Sequence, residues 1–256
     1  MSAVITQSEQ GVMHLPAISL EDLQAEAAFL TRRDRKYLVS MDQLAEMLGA
    51  LDRDIRVLEI GGQRTFTYVT PYFDDDGYSA YLRAARRRPD RFKVRTRLYA
   101  DSGLCMLEVK VRNTRGQTVK HRATHDASRL GDLTSEERAW LMTFPQVAPV
   151  AFGLEHRVTT EYRRTTLALP NAAGRVTIDL DLAFTLPCGE RRRVVDHVII
   201  ETKGAGQATA IDRLLWRMGC RPSSMSKFAA GLSLLHPELP ANRWHRIREH
   251  MAMALE

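Results

Sequence analysis

Cationic side chains recur at every second residue in one stretch of this 256-residue chain. Between Arg91 and Arg122 the sequence reads as three short strands joined by two turns. Successive residues of a strand point to opposite faces, so i and i+2 share a face. Lys93, Arg95 and Arg97 therefore lie on one face of the first strand, opposite Phe92, Val94 and Leu98. The second strand sets Glu108, Lys110 and Arg112 against Leu107, Val109 and Val111, and the third puts Lys120 and Arg122 together. Such rows suit phosphate, because guanidinium holds two phosphate oxygens at once and ammonium adds a point charge. The same spacing returns at Asp34/Lys36, Asp179/Asp181 and Glu201/Lys203.

Two readings of these rows stand side by side. In a half-exposed sheet the polar face meets water. Alternatively, the aliphatic faces are covered from outside by helices, and the charged faces enclose a polyanion. An enclosed cationic row needs offsetting acids or anions, since one like-charge pair at about 5 Å and an effective dielectric near 20 costs roughly 3 kcal/mol. Glu108, Asp179, Asp181 and Glu201 are then either counterions or ligands of a hard divalent cation that bridges phosphate oxygens. Nearby positive charge keeps such carboxylates ionised.

The elements that must position these residues can be read in order. Residues 1–17 form a flexible N-terminal arm. Ser19 caps a helix whose apolar positions are Leu20, Leu23, Ala27 and Leu30. A short strand carries Asp34 and Lys36, and Ser40 with Gln43 forms a capping box for a helix from Met41 to about Leu51. Residues 53–74 read as a hairpin around Gly61-Gly62, and Asp76 as the cap of a helix over Tyr78–Arg88. Arg86-Arg87-Arg88 reads as its solvated end. Thr134 and Glu137 open a helix over Ser135–Phe144. Glu155–Leu169 and Gly174–Phe184 form a second hairpin, with Thr177, Asp179 and Asp181 on one face. Arg191–Lys203 is a further strand, its Arg191-Arg192-Arg193 end an exposed turn. Helices follow over Ala208–Met218, Ser223–Leu235 and Ala241–Leu255. About eight strands without βαβ alternation indicate an α+β fold with antiparallel pairing. Closing such a sheet into a barrel removes its edges.

Composition narrows the partners. A net charge of +6 favours anions, and a 44% hydrophobic chain can bury a full core. Three cysteines, without CxxC spacing, fit a reducing compartment. No apolar run approaches a membrane span and no signal pattern opens the chain, so the cytoplasm is the expected location. The basic charge alone would admit a nucleic-acid binder, but no aromatic-plus-basic signature accompanies it. His121 and His125 straddle a strand end and do not share a ligand face. Trp216, Met218, Met225 and Phe228 read as core.

The chain resembles the VTC-type polyphosphate polymerase domain of the triphosphate tunnel metalloenzymes, relatives of CYTH proteins. The match runs from about residue 32 to 231. It includes Lys36-Tyr37, Tyr72-Phe73-Asp74, Lys93-Val-Arg95-Thr-Arg97, Leu107-Glu-Val-Lys110 and Lys120-x-Arg122. It continues through Tyr162-x-Arg164-Thr165, Arg175-x-x-Ile-Asp179, Ile200-Glu201-x-Lys203 and Ser226-Lys227-Phe228-x-x-Gly231. The resemblance implies an antiparallel eight-stranded β-barrel, a triphosphate tunnel with helices packed outside, as a single domain over 18–256. It implies a phosphate path lined by Lys36, Lys93, Arg95, Arg97, Lys110, Lys120, Arg122, Arg164, Lys203 and Lys227. Lys36, Arg95, Arg97, Arg164 and Lys203 would act in catalysis. Glu201 would hold Mn2+ or Mg2+, with Glu108, Asp179 and Asp181 as possible helpers.

One departure is evident. CYTH-type members carry ExExK on the first strand, where this chain has Arg32-Arg-Asp34-Arg-Lys36. VTC-type polymerase domains also lack the full motif. The implied substrates are ATP or another triphosphate and inorganic polyphosphate, with no sequence-specific nucleic acid. The implied activity is polyphosphate polymerase-like phosphoryl transfer. Triphosphate hydrolysis and a non-catalytic binding module are the alternatives. With no integral membrane segment, coupling of synthesis to transport would need a membrane-protein partner.

Overall fold

The computed structural model describes residues 10–27, 33–112 and 116–253, with side chains described through 26 in the first stretch and through 251 in the last. Leu30 and Arg32 lie outside the described residues. The strands are β1 (Ala17–Ile18), β2 (Arg33–Ser40), β3 (Arg56–Leu58), β4 (Thr65–Asp74), β5 (Phe92–Tyr99), β6 (Leu104–Arg112) and β7 (Thr118–Thr124). They continue with β8 (Glu155–Ala168), β9 (Gly174–Thr185), β10 (Arg191–Arg193) and β11 (His197–Gly204). The helices are α1 (Leu20–Ala27), α2 (Met41–Gly49), α3 (Ser79–Ala85), α4 (Ser135–Met142), α5 (Ala210–Arg217), α6 (Lys227–Leu235) and α7 (His245–Met253). The fold is α+β with a large antiparallel sheet. Its main path of pairing is β2-β11-β9-β8-β4-β5-β6-β7, which makes eight strands. The path is open, with ends at β2 and β7, so the pairing does not close the expected barrel. The outer edge of β2 is taken instead by Ser223, whose N–H donates to the Lys36 carbonyl at 2.7 Å.

Two compact units divide the chain. The first takes residues 1–66, 163–182 and 194–224, and the second takes 67–162, 183–193 and 225–256. In the first unit, alternation puts Tyr37 and Val39 of β2, Val198 and Ile200 of β11, and Val176, Ile178 and Leu180 of β9 on one buried face. Leu44, Met47 and Leu48 of α2 and Ile211 and Leu215 of α5 complete that core. The helices thus cover the aliphatic face, as the second sequence reading requires. Val12 and Leu15 are buried in the same core and Ala17 pairs in β1, so residues 10–17 are packed rather than a loose arm.

A polar hub anchors α5 to this sheet. Asp212 is fully buried and accepts from Tyr37 Oη at 2.6 Å, Thr202 Oγ1 at 2.6 Å and the Thr209 N–H at 2.7 Å. Trp216 Nε1 donates to the Tyr37 hydroxyl at 3.0 Å. Burial, and then the Asp212 carboxylate, push the Tyr37 hydroxyl above its ordinary pKa. Tyr37→Phe removes the acceptor of the indole N–H and one of the two donors to Asp212 Oδ1, which Thr202 still serves. It should lower stability by about 1–3 kcal/mol in denaturant unfolding; an unchanged midpoint would show that the hub contributes nothing.

In the second unit, the even-numbered residues Phe92 and Val94 of β5 and the odd-numbered Leu107, Val109 and Val111 of β6 are buried. Helix α3 packs on β5. On the same side the ring of His121 of β7 meets that of Phe144 in a tilted contact at 4.8 Å, and Thr96 Oγ1 donates to the Leu130 carbonyl. His125 pairs instead with Glu137 at 2.5 Å, so the two histidines serve different contacts.

Several expectations are corrected. The stretch over 53–74 is no hairpin: β3 pairs with β1 and β8, and only an isolated Ile60–Gln63 bridge closes around Gly61 and Gly62. Both glycines have positive φ, 58° and 78°. Asp76 does not cap α3. Asp75 accepts from the Ser79 N–H at 2.7 Å, and Asp74 from the Ala80 and Tyr81 N–H groups at 2.8 and 3.0 Å. Burial pushes the Asp74 carboxyl up to about 7, against those backbone donors. Arg191–Arg193 is not a turn but a strand paired with Ala183–Thr185. It is separated from β11 by Asp196, at φ 56°. The capping boxes at Ser40 and Thr134 form as expected. Among the described residues, no helix is long and apolar enough to cross a membrane.

Candidate functional site

Each unit carries one charged sheet face. In the second unit the antiparallel register aligns side chains in rungs across β5, β6 and β7. Lys93, Lys110 and Lys120 stand abreast on one rung, and Arg95, Glu108 and Arg122 on the next. Tyr72 of β4 extends the second rung beside Arg95. Like charges directly opposite one another destabilise a bare sheet, so the lysine rung needs anionic company.

Glu108 is the counterion of this face. It is fully buried, and Arg95 Nε donates to Oε2 at 2.7 Å, with Nη2 on the same oxygen. Lys120 Nζ and Arg122 Nε reach Oε1 at 3.1 and 3.0 Å. Burial alone would raise the Glu108 pKa, but Arg95, Arg97 and Lys120 outweigh it and hold the carboxyl well below the usual range. Burial also works against the charge on Arg95, and Tyr72 and Glu108 overcome it, so its pKa is raised. Burial brings Lys120 down to about 8 despite Glu108. Three cations thus share one carboxylate. Arg97, on the same strand face as Arg95, lies over the Tyr68 ring at 5.5 Å, and its buried Nε has no hydrogen-bond partner. Tyr68 stacks on Tyr162 at 5.2 Å, and Lys227, in the first turn of α6, stands 4.2 Å from the Tyr162 centroid.

The first unit places Lys36, Glu201 and Thr177 on one rung across β2, β11 and β9, and Asp34, Lys203 and Arg175 on the next. Glu201 Oε1 lies 3.1 Å from Lys36 Nζ and 3.2 Å from Lys203 Nζ. Burial, and then the Glu201 carboxylate among opposing lysines, raises the Asp34 pKa. Burial lowers Lys203, with Glu201 and Asp34 pulling the other way. Arg164 grips Asp179 in a two-point pair, at 2.6 and 2.8 Å. Asp181 does not share the Asp179 face as expected. It pairs with Arg163 at 3.5 Å, the neighbour of Arg164 on β8, and consecutive strand residues face opposite ways. Its left-handed φ of 53° breaks the alternation.

The carboxylates differ in their fit to a divalent cation. Among the described residues no group of three His, Cys, Asp or Glu side chains gathers as a ready-made metal cluster. Glu108, fully buried and paired with Arg95, Lys120 and Arg122, and Asp179, fully buried and paired with Arg164, fit the role of counterion. Glu201 and Asp34 are within hydrogen-bonding reach of each other at the charged face. Two adjacent carboxylates match the donor set of Mg2+ or Mn2+, which takes one or two protein carboxylates and fills its shell with water and phosphate oxygens. Asp34 was not among the expected ligands; its position two residues before Lys36 on the same face was the signal. Tyr68 was likewise not singled out, and Tyr72 and Tyr162 entered only as parts of the resembling motifs without a role, because nothing in strand alternation marks an aromatic ring as a cation's seat.

The model of the VTC domain matches residues 31–236. No curated protein matches the chain. Among solved structures, it is similar to HpAC1 from Hippeastrum, described as an adenylyl cyclase with a dominant triphosphatase activity. The two share 15% identity over 78% of this chain and 94% of that one, at a TM-score of 0.48. An adenylate cyclase so described from Vibrio parahaemolyticus shares 13% identity over 73% and 83% of the chains, at a TM-score of 0.39. The PH1819 protein of Pyrococcus horikoshii OT3 shares 10% identity over 81% and 100%, at a TM-score of 0.42. Likeness at this level leaves the reaction open.

Proposed function

The chain belongs to the VTC domain family, and on that premise we propose that it performs metal-dependent phosphoryl transfer on a nucleoside triphosphate or polyphosphate, in the manner of a polyphosphate polymerase. The observation that carries this reading is the Glu108 rung, where Arg95, Lys120 and Arg122 share a single carboxylate beside a rung of three lysines. Such a surplus of fixed positive charge is balanced by a polyanion, and Arg and Lys rows fit condensed phosphate.

In the second unit Lys93, Arg95, Arg97, Lys110, Lys120, Arg122 and Lys227 bind and align phosphate oxygens. In the first unit Lys36, Arg164 and Lys203 do the same. Arg95 and Arg97 of the second unit, and Lys36, Arg164 and Lys203 of the first, are the groups assigned to catalysis, each able to stabilise charge on phosphate held at its own face. Glu201 with Asp34 would hold Mn2+ or Mg2+, which would supply positive charge to offset that of the phosphate. Glu108 and Asp179 keep the arginines oriented between turnovers. A phosphate chain end as acceptor gives polyphosphate, and water gives a triphosphatase. Delivery of a polymer across a membrane would require a separate membrane protein.

A binding module without turnover is the second reading, favoured by the two lysines that already neutralise Glu201. Incubation with ATP and Mn2+, followed by gel analysis of polymer and assay of free phosphate, separates the readings. Polymer is the expected product; free phosphate alone makes the protein a triphosphatase. Neither product from folded protein would overturn catalysis.

A further inference from the structure

Among the described residues of the second unit, three buried polar groups have no hydrogen-bond partner: Thr70 Oγ1, Thr160 Oγ1 and Arg97 Nε. Strand register puts them on one rung. Val69 pairs with Leu98 and Tyr72 with Arg95, which sets Thr70 opposite Arg97. Strands β8 and β4 are neighbours, and two side-chain contacts between them fix their alignment. Thr65 bonds Thr165 at 2.8 Å, and Tyr68 stacks on Tyr162. The same antiparallel spacing sets Thr160 opposite Thr70. All three side chains leave the sheet on the face that carries Tyr68, Tyr72 and Arg95, because residues two apart share a face.

A buried donor without an acceptor costs about 1–3 kcal/mol, and native structures hold few of them. Here three lie side by side on the face already assigned to phosphate. Each has a hydrogen to give. Arg97 Nε can only donate and each hydroxyl can donate, so an acceptor-rich group such as the non-bridging oxygens of a phosphate satisfies all three at once. Both threonines are fully buried, and Arg97 is the member of the rung with exposed surface, at 8%.

We propose that Thr70 and Thr160, with Nε of Arg97, form an uncharged-plus-charged donor rung that takes the oxygens of a condensed phosphate and sets its position along the cationic face. This rests on the function proposed above and adds two residues that no charge pattern marks. Hydroxyl donors contribute affinity without releasing counterions, so their contribution is independent of ionic strength, whereas that of lysine and arginine is screened.

The test uses the full chain and inorganic tripolyphosphate, titrated calorimetrically at several salt concentrations. Thr70→Val and Thr160→Val keep the side-chain shape. Each should raise the melting temperature of the ligand-free protein, by removing an unpartnered buried hydroxyl. Each should weaken tripolyphosphate by about tenfold, the loss of one hydrogen bond to a charged group. The slope of log Kd against log salt should stay that of the wild type. Arg122→Gln, by contrast, should flatten the slope. If a valine variant does not fold, Thr→Ala supplies the comparison and Thr→Ser, which keeps the hydroxyl, should retain wild-type affinity. Wild-type affinity in variants lacking the hydroxyl would overturn the rung while leaving the proposed function standing. Absence of tripolyphosphate binding by the wild type would overturn both.

Discussion

Replacing Glu201 with glutamine is expected to cut turnover of ATP with Mn2+ by at least about a hundredfold, the scale on which one electrostatic element of a phosphoryl-transfer site acts. The same change should leave tripolyphosphate affinity intact or tighter. The carboxylate sits between Lys36 Nζ at 3.1 Å and Lys203 Nζ at 3.2 Å, beside Asp34. As glutamine it no longer supplies the charge that a hard cation requires. Yet both lysines lose their internal anion and become more available to phosphate. Opposite signs on rate and affinity distinguish a metal-supporting carboxylate from a merely structural one. Glu201→Gln protein that turns over at the wild-type rate would remove Glu201 from the metal site.

Glu108→Gln should be among the most destabilising single changes in the chain. The side chain keeps its size, so packing is little altered, but the buried Arg95 and the more exposed Lys120 and Arg122 lose their common anion. Breaking a buried pair from one side costs about 3–5 kcal/mol. For a chain of this length that corresponds to a melting temperature lower by roughly 10 °C. Saturating tripolyphosphate should restore much of the loss, because a ligand at about a hundred times its Kd adds about 2.7 kcal/mol.

Acid titration of the same pair of proteins supplies a second readout. The folded-state pKa of Glu108 is lowered from its ordinary 4.5. The stability it contributes is therefore fully present above the unfolded value and is lost as pH falls through the folded one. Wild-type stability should decline more steeply below pH 4.5 than that of Glu108→Gln. Parallel curves would mean that Glu108 is not the counterion of this face.

Much of the fold was legible because alternation is a local property. Tyr37, Val39, Val198, Ile200, Val176 and Ile178 fall on the buried face as their spacing requires, and Lys36, Glu201, Lys203 and Thr177 fall on the other. Charged residues were legible for the same reason. Pairing choice was not, because it depends on segments distant in the chain: β3 takes β1 and β8 as partners, although β4 follows it directly. The cap of α3 moved from Asp76 to Asp74 and Asp75 because the turn places Tyr78 at φ 53°, a bulky residue in a conformation that sequence pattern does not signal. Asp181 left its expected face through a similar local inversion. Thr70 and Thr160 went unremarked because an uncharged side chain reveals its face but not whether its hydroxyl finds a partner.

The central claim is that the cationic sheet faces bind condensed phosphate. It is tested most directly by calorimetric titration of the wild-type chain with inorganic tripolyphosphate, repeated at rising sodium chloride and set against orthophosphate. The account predicts saturable binding of tripolyphosphate, much weaker binding of orthophosphate, and an affinity that falls steeply with salt. Absence of saturable binding, or equal affinity for both anions at every salt concentration, would contradict it.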